Sequence, residues 1–186
     1  MDRTAEITEK TARLVRMLAA ENLGGALINA QHNFSWLTAS YTNGIDNSRE
    51  QGAGALLVRR DGKRFVLASR IEMARLQTEE LAGEDFEPVE FGWEEEKANS
   101  TFLAERAGTL LQSGNASLGS DISIAPNVRG IEGAIARCRY ELTPPEIERF
   151  RQLGSDAGIA IGSLMRSLNP GETEKEIARR ASDALA

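Results

Sequence analysis

The sequence predicts an α/β fold, a mixed β-sheet with flanking helices, followed by a purely helical segment. Three observations predict it. Short apolar runs alternate with amphipathic helical stretches over most of the chain, the pattern of strands and helices packed in layers. One pair of runs, in AGALLVRRDGKRFVLAS, is joined through Asp61-Gly62, so at least two neighbouring strands are antiparallel and the sheet is mixed. Beyond Tyr140 the strand signals stop and everything becomes helical. The expected division is a domain over residues 1–139 and a helical portion over 140–186.

The elements follow in order. In MDRTAEITEKTARLVRMLAAEN, Ile7, Leu14 and Leu18 fall on one helical face, with Glu6/Lys10 and Glu9/Arg13 as i,i+4 pairs on the other. Gly24-Gly25 ends this helix and ALIN reads as a short buried strand. QHNFSWLTASYTNGIDNSREQG mixes Asn, Ser, Thr and Gly with three aromatics, which suits an ordered loop or a short helix and loop. The hairpin strands are Ala55–Val58 and Arg64–Ala68. Ser69 is placed to cap a helix with Ile71, Ala74, Leu76 and Leu81 on its face. FEPVEF is a strand carrying Phe86, Val89 and Phe91. A helix is expected from Asn99 to Gln112, a strand in ASLGSDI, and a helix over Ala125–Ala136.

The closing segment has strong local signals. Thr143-Pro144-Pro145-Glu146 is a capping box with proline at the first helical position. Ile147, Phe150, Ala157, Ile161, Leu164 and Leu168 form a stripe at three- and four-residue spacing, and Asn169-Pro170-Gly171 ends it. Thr173-Glu174-Lys175-Glu176 opens a second helix with Ile177, Ala181 and Leu185 inward. Two helices alone bury little, so both faces predict a further partner.

Composition excludes several function classes. A hydrophobic fraction of 41% and charged fraction of 27% belong to a folded globular chain. The net charge of −6 argues against a nucleic-acid partner, which needs clustered Lys and Arg. The acidic run EDFEPVEFGWEEEK, Glu84 to Lys97, lacks the spacing of a calcium loop and reads as a solvated loop or strand edge. No apolar run is long enough to span a bilayer and the N-terminus has no signal-peptide core. One cysteine, Cys138, fits a reducing compartment, so a cytoplasmic location is expected.

No catalytic constellation is visible in the residues themselves. His32 is the only histidine, and no Cys or second His lies at metal-ligand spacing from it, so a structural or exposed role is expected. No phosphate-cradling glycine loop or zinc-peptidase helix motif occurs. Asp121 in LGSDIS has the residue type of a catalytic acid but the position of a strand-end or capping Asp, and the second reading is the expected one.

Taken together, ALINAQHNFSWLTAS, GALLVRRDGKRFVLASRIEMARL, LGSDIS and ARCRYELTPPEIERFRQLGSDAGIAIGSLMRSLNPGETEKEIA resemble, in order, the N-terminal domain and junction of the creatinase, prolidase and aminopeptidase P family. The resemblance implies a creatinase-like, broadly ribonuclease-H-like N-terminal domain, then the opening helices of a pita-bread catalytic domain. It implies a parent Xaa-Pro aminopeptidase or dipeptidase holding two divalent metal ions (manganese, cobalt or zinc) through two Asp, one His and two Glu, none of which falls in this chain. The chain is then expected to be the inactive front part of a larger, homodimeric enzyme acting on peptides. The loop after the first strand would shape the substrate pocket, through Asn33, Trp36, Tyr41 and Arg49. Ala39 stands where the family pattern has Gly, and Leu-Thr at the junction where many peptidases have Lys-Ser. Those departures leave open a creatinase-type amidinohydrolase or a non-catalytic dimerisation module.

Overall fold

The described residues form a mixed six-stranded sheet in the spatial order β4 (Glu87–Phe91), β3 (Arg64–Ser69), β2 (Gln51–Arg59), β1 (Gly25–Ala30), β5 (Leu118–Ser120) and β6 (Arg129–Gly130), in which β2 runs antiparallel to both its neighbours and the other pairs are parallel. The computed structural model describes residues 2–111 and 117–186. The chain divides into two compact units, Met1–Glu141 and Leu142–Ala186.

In the first unit, α1 (Arg3–Ala20) leads to β1 (Gly25–Ala30) and directly into α2 (Gln31–Leu37). The hairpin β2 (Gln51–Arg59) and β3 (Arg64–Ser69) follows, then α3 (Arg70–Arg75), which continues as a π-helical turn over Leu76–Glu80. The remaining elements are β4 (Glu87–Phe91), α4 (Trp93–Ala98), α5 (Phe102–Thr109), β5 (Leu118–Ser120), β6 (Arg129–Gly130) and α6 (Glu132–Arg139). Gly62 closes the hairpin at φ +86°, a conformation only glycine adopts without strain.

Two-residue alternation along the strands builds two apolar layers. Ala26, Ile28, Leu56, Val58, Val66 and Ala68 face one side, where Ile7, Leu14 and Leu18 of α1 and Ile131 and Ile135 cover them. Leu27, Leu57, Phe65, Leu67 and Val89 face the other, against Leu103 and Ala107 of α5. β5 approaches the first layer closely because Gly119 has no side chain; a Cβ there would stand 2.8 Å from Ile131 Cδ1.

Several elements differ from the sequence expectation. The helix expected from about Asn99 is α5 and begins three residues later: Asn99 is extended (φ −135°, ψ 109°), and its Oδ1 accepts from Thr101 N and Oγ1 ahead of the first turn. The expected end of that helix at Gln112, and Ala116 of the next strand, lie outside the described residues. Over Ala125–Ala136, a turn and the short β6 come first and the helix begins at Glu132. Ser69 occupies the cap position of α3 but makes no side-chain capping bond; of the expected face Leu76 and Leu81 are buried, whereas Ile71 and Ala74 are exposed and Met73 is buried instead. The acidic run holds the edge strand β4 and all but the last residue of α4; Glu87 and Glu90 of β4 are exposed and pair with Lys63 and Arg70.

The second unit consists of α7 (Pro144–Arg166) and α8 (Glu174–Leu185), both opened by the expected capping boxes of Thr143/Glu146 and Thr173/Glu176. Neither helix has a fully buried residue, and Phe150 is 62% exposed.

The largest surprise in α1 concerns Glu6 and Lys10. They pair as expected at 2.7 Å, yet each is only 1% exposed. Lys10 Nζ also donates to Trp36 O at 2.7 Å and lies 5.6 Å from the Trp36 ring centroid, so the pair ties α1 to α2. Replacing Lys10 alone takes the cation out of a buried ion pair, so Lys10→Met is expected to lower the unfolding free energy by about 3–5 kcal/mol. The Glu6→Leu/Lys10→Met double variant should recover most of that loss, as read from urea denaturation.

Candidate functional site

β1 is paired on both sides only as far as Leu27, where its parallel partner β5 ends at Ser120. The chain of β5 then turns, and the Asp121 side chain takes over the ladder. Its Oδ1 accepts from Asn29 N at 2.9 Å and its Oδ2 from Ala30 N at 3.0 Å. Asn33 Nδ2, one turn into α2, donates to the same Oδ2 at 3.1 Å. Asp121 is therefore the strand-end acceptor its position suggested, buried at 7% exposure. Burial pushes its carboxyl above the ordinary aspartate range, and the donors from Asn29, Asn33 and Ala30 pull it back.

Asn33 extends the node outward. The same Nδ2 donates to Glu132 Oε2 at 2.6 Å, and Arg139 Nη1 donates to Asn33 Oδ1. Arg139 Nη2 reaches Glu132 Oε1 at 3.1 Å, and His32 Nε2 stands 3.4 Å from that same oxygen. Both ends of α6 are thus drawn to the start of α2. The members of the node are hydrogen-bonded to one another, an arrangement that fixes the start of α2.

The loop beyond α2 is fastened at three places. Gln31 Nε2 donates to Asp46 O and Arg49 O at 2.9 and 2.8 Å. Buried Asn43 donates to Asn29 O at 3.2 Å and Gly54 O at 2.6 Å. Thr42 N donates to Glu80 Oε2 at 2.9 Å. The turn out of α2 places Ala39 at φ 58° and Ser40 at φ 89°, left-handed conformations that favour glycine.

Of the four residues expected to face substrate, Asn33 sits in the node. Trp36 turns toward α1 with its Nε1 buried and unpartnered. Tyr41 lies under the Arg3 guanidinium, 3.2 Å from its ring centroid. Arg49 is exposed and pairs with Asp46 at 3.3 Å. No side-chain hydrogen bond, ion pair or ring contact joins any two of the four among the described residues. His32 is half-exposed, and burial raises the Cys138 thiol above the usual range despite nearby Arg13, Arg137 and Arg16. Among the described residues no group of three His, Cys, Asp or Glu is placed to hold a metal ion, so the donors here do not fit a dinuclear centre.

Glu132, Arg139, Asn29 and Asn43 were missed as site residues by sequence reasoning. Only Asn29 carried a signal, a polar residue closing the apolar run ALIN.

A mixed sheet layered by helices, with a positioning node at the strand ends, defines an α/β domain that organises a loop. The chain belongs to the Creatinase/Prolidase N-terminal domain family, whose sequence model matches residues 10–152. Dipeptidase PepE from Mycobacterium ulcerans is similar in structure, with TM-score 0.74 and 15% identity over 99% of this chain and 50% of that one. So is a prolidase from Thermococcus sibiricus, with TM-score 0.67 and 20% identity over 100% of this chain and 50% of that one. An Xaa-Pro dipeptidase from Bacillus anthracis has TM-score 0.67 and 15% identity over 96% of this chain and 48% of that one. At these identities the likeness is one of fold, and the chain spans about half the length of these structures. Comparison with curated proteins gives no match. No helix of the described residues is long and apolar enough to cross a membrane.

Two substitutions probe the node and its loop. In Asp121→Asn, one acceptor becomes an NH2 group facing a buried backbone N–H, so urea denaturation should show a loss of about 1–3 kcal/mol. Ala39→Gly should stabilise by about 1 kcal/mol, because it relieves the left-handed Cβ clash; an unchanged denaturation midpoint would contradict the strained turn.

Proposed function

We propose that this chain is the N-terminal domain of a metal-dependent Xaa-Pro dipeptidase or aminopeptidase, and that it serves dimerisation and substrate-pocket shaping, not bond cleavage. The observation that carries this reading is the family match across residues 10–152, together with near-complete coverage of the chain by about half of a dipeptidase and of prolidases. Residues 140–186 are then the opening helices of the pita-bread domain, and the exposed face of Ile147, Phe150 and Leu153 is the one that domain covers.

Within this reading the node is the support and the loop is the working part. Asp121, Asn33, Glu132 and Arg139 fix the start of α2, and Gln31, Asn43 and Glu80 fix the loop that follows. Trp36 and Tyr41 brace the loop against α1. Arg49, at its exposed end, meets a substrate carboxylate at the active site of a partner subunit, where a bidentate guanidinium suits a dipeptide terminus. Two divalent ions held in the parent's second half would supply the activation of water; this chain's residues orient and enclose the peptide.

Reading the native gene past the codon for Ala186 should show two Asp, one His and two Glu in that order. In the encoded enzyme, Arg49→Ala should raise KM for an Xaa-Pro dipeptide about tenfold with kcat little changed, the signature of lost ground-state binding. A frame without those ligands, or an unchanged KM, removes this reading.

A further inference from the structure

Between α1 and the β2–β3 hairpin lies a cavity of about 430 Å³. Ala12, Val15 and Gly62 give it a largely apolar wall, and the volume suits a small organic molecule. Its polar lining is cationic and hydroxylic: Arg16, Arg64, Thr8 and Thr11, with no carboxylate among them.

Three donors there lack acceptors. Arg16 makes no ion pair or hydrogen bond among the described residues. Arg64, with a side chain only 10% exposed, stacks 5.0 Å above Phe86, approaches the fully solvated Asp85 loosely at 3.7 Å, and leaves Nη1 buried without a partner. Thr11 is 7% exposed with its Oγ1 unpartnered. A helical threonine ordinarily satisfies its hydroxyl on a carbonyl one turn back, as Thr8 does with Thr4 O at 2.8 Å. Thr11 does not, and a buried hydroxyl without a partner is costly. The three donors and the apolar wall call for one kind of occupant, an aliphatic body ending in a single anionic acceptor.

We propose that this cavity is a binding site for a free aliphatic monocarboxylate. Its carboxylate is held between the Arg16 and Arg64 guanidiniums, the Thr11 hydroxyl turns about χ1 to donate to it, and its alkyl chain lies along Ala12 and Val15. The site uses none of the residues of the node or the loop and stands independently of the peptidase reading.

Hexanoate titrated into the 186-residue chain tests it, followed by amide chemical shifts in 15N-labelled protein, with hexanol and acetate as the neutral and chainless controls. Saturable shifts at Thr11, Ala12, Val15 and Gly62 with hexanoate, and not with hexanol, are expected. Loss of one charged hydrogen bond weakens binding about tenfold or more, so Arg16→Gln and Arg64→Gln should each raise Kd by that factor. Thr11→Val should raise it severalfold. Arg16 is exposed, so Arg16→Gln keeps the test sound if Arg64→Gln fails to fold. Equal shifts with hexanol, no shifts with hexanoate up to tens of millimolar, or a Kd unmoved in Arg16→Gln would each overturn the proposal.

Discussion

The backbone of β1 beyond Leu27 has N–H groups pointing where no strand continues, and the Asp121 carboxylate supplies the missing acceptors. Everything around the candidate site hangs on that substitution of a side chain for a strand. Because Asn29 N and Ala30 N are satisfied there, β1 can end and α2 begin with no intervening loop. A buried carboxylate with only backbone donors would be poorly balanced; Asn33 supplies a further donor, and Arg139 holds Asn33 through its Oδ1. The node thus fixes the direction of α2, and with it the point from which the loop departs.

The same logic explains Glu6 and Lys10. A charged pair at i,i+4 is ordinarily a surface feature of small value. Here α1 is covered by the sheet on one side and by α2 on another, so the pair falls inside. It is held there by the Trp36 carbonyl, a partner that exists only once α2 is in place. Removing the pair whole is far less damaging than halving it, since the penalty lies in the uncompensated charge. The helices of the second unit show the opposite situation. Their caps are complete, but cap chemistry fixes only where a helix starts, and neither helix buries a residue fully.

Much of the fold was legible in the sequence. The hairpin about Asp61-Gly62, the strand in ALIN, the strand in FEPVEF and both capping boxes came from signals spanning three to six residues. The Ala39 departure from the family pattern proved informative, since Ala39 occupies a left-handed backbone position where glycine would be relaxed. The misreadings have local causes of another kind. Asn99 stands just outside α5 because its side chain accepts from Thr101, and a short polar side chain is compatible with either starting a helix or preceding one. Glu132 starts α6 later than the apolar pattern suggested because Arg129 and Gly130 are recruited as an edge strand by β5.

By itself the sequence determined the alternation of elements, their caps and turns, and the two-faced character of each strand, because these depend on neighbours a few residues away. Only the tertiary structure decided which polar residues form the node. Asn33 and Asp121 lie 88 residues apart in the chain, and Asn33 and Arg139 lie 106 apart. It likewise decided that Glu6 and Lys10 are interior and that Trp36 and Arg49 face different surroundings. Periodicity reports which face of an element is apolar; it carries no information on what will cover the polar one, and that covering sets the charge, burial and partners on which function depends.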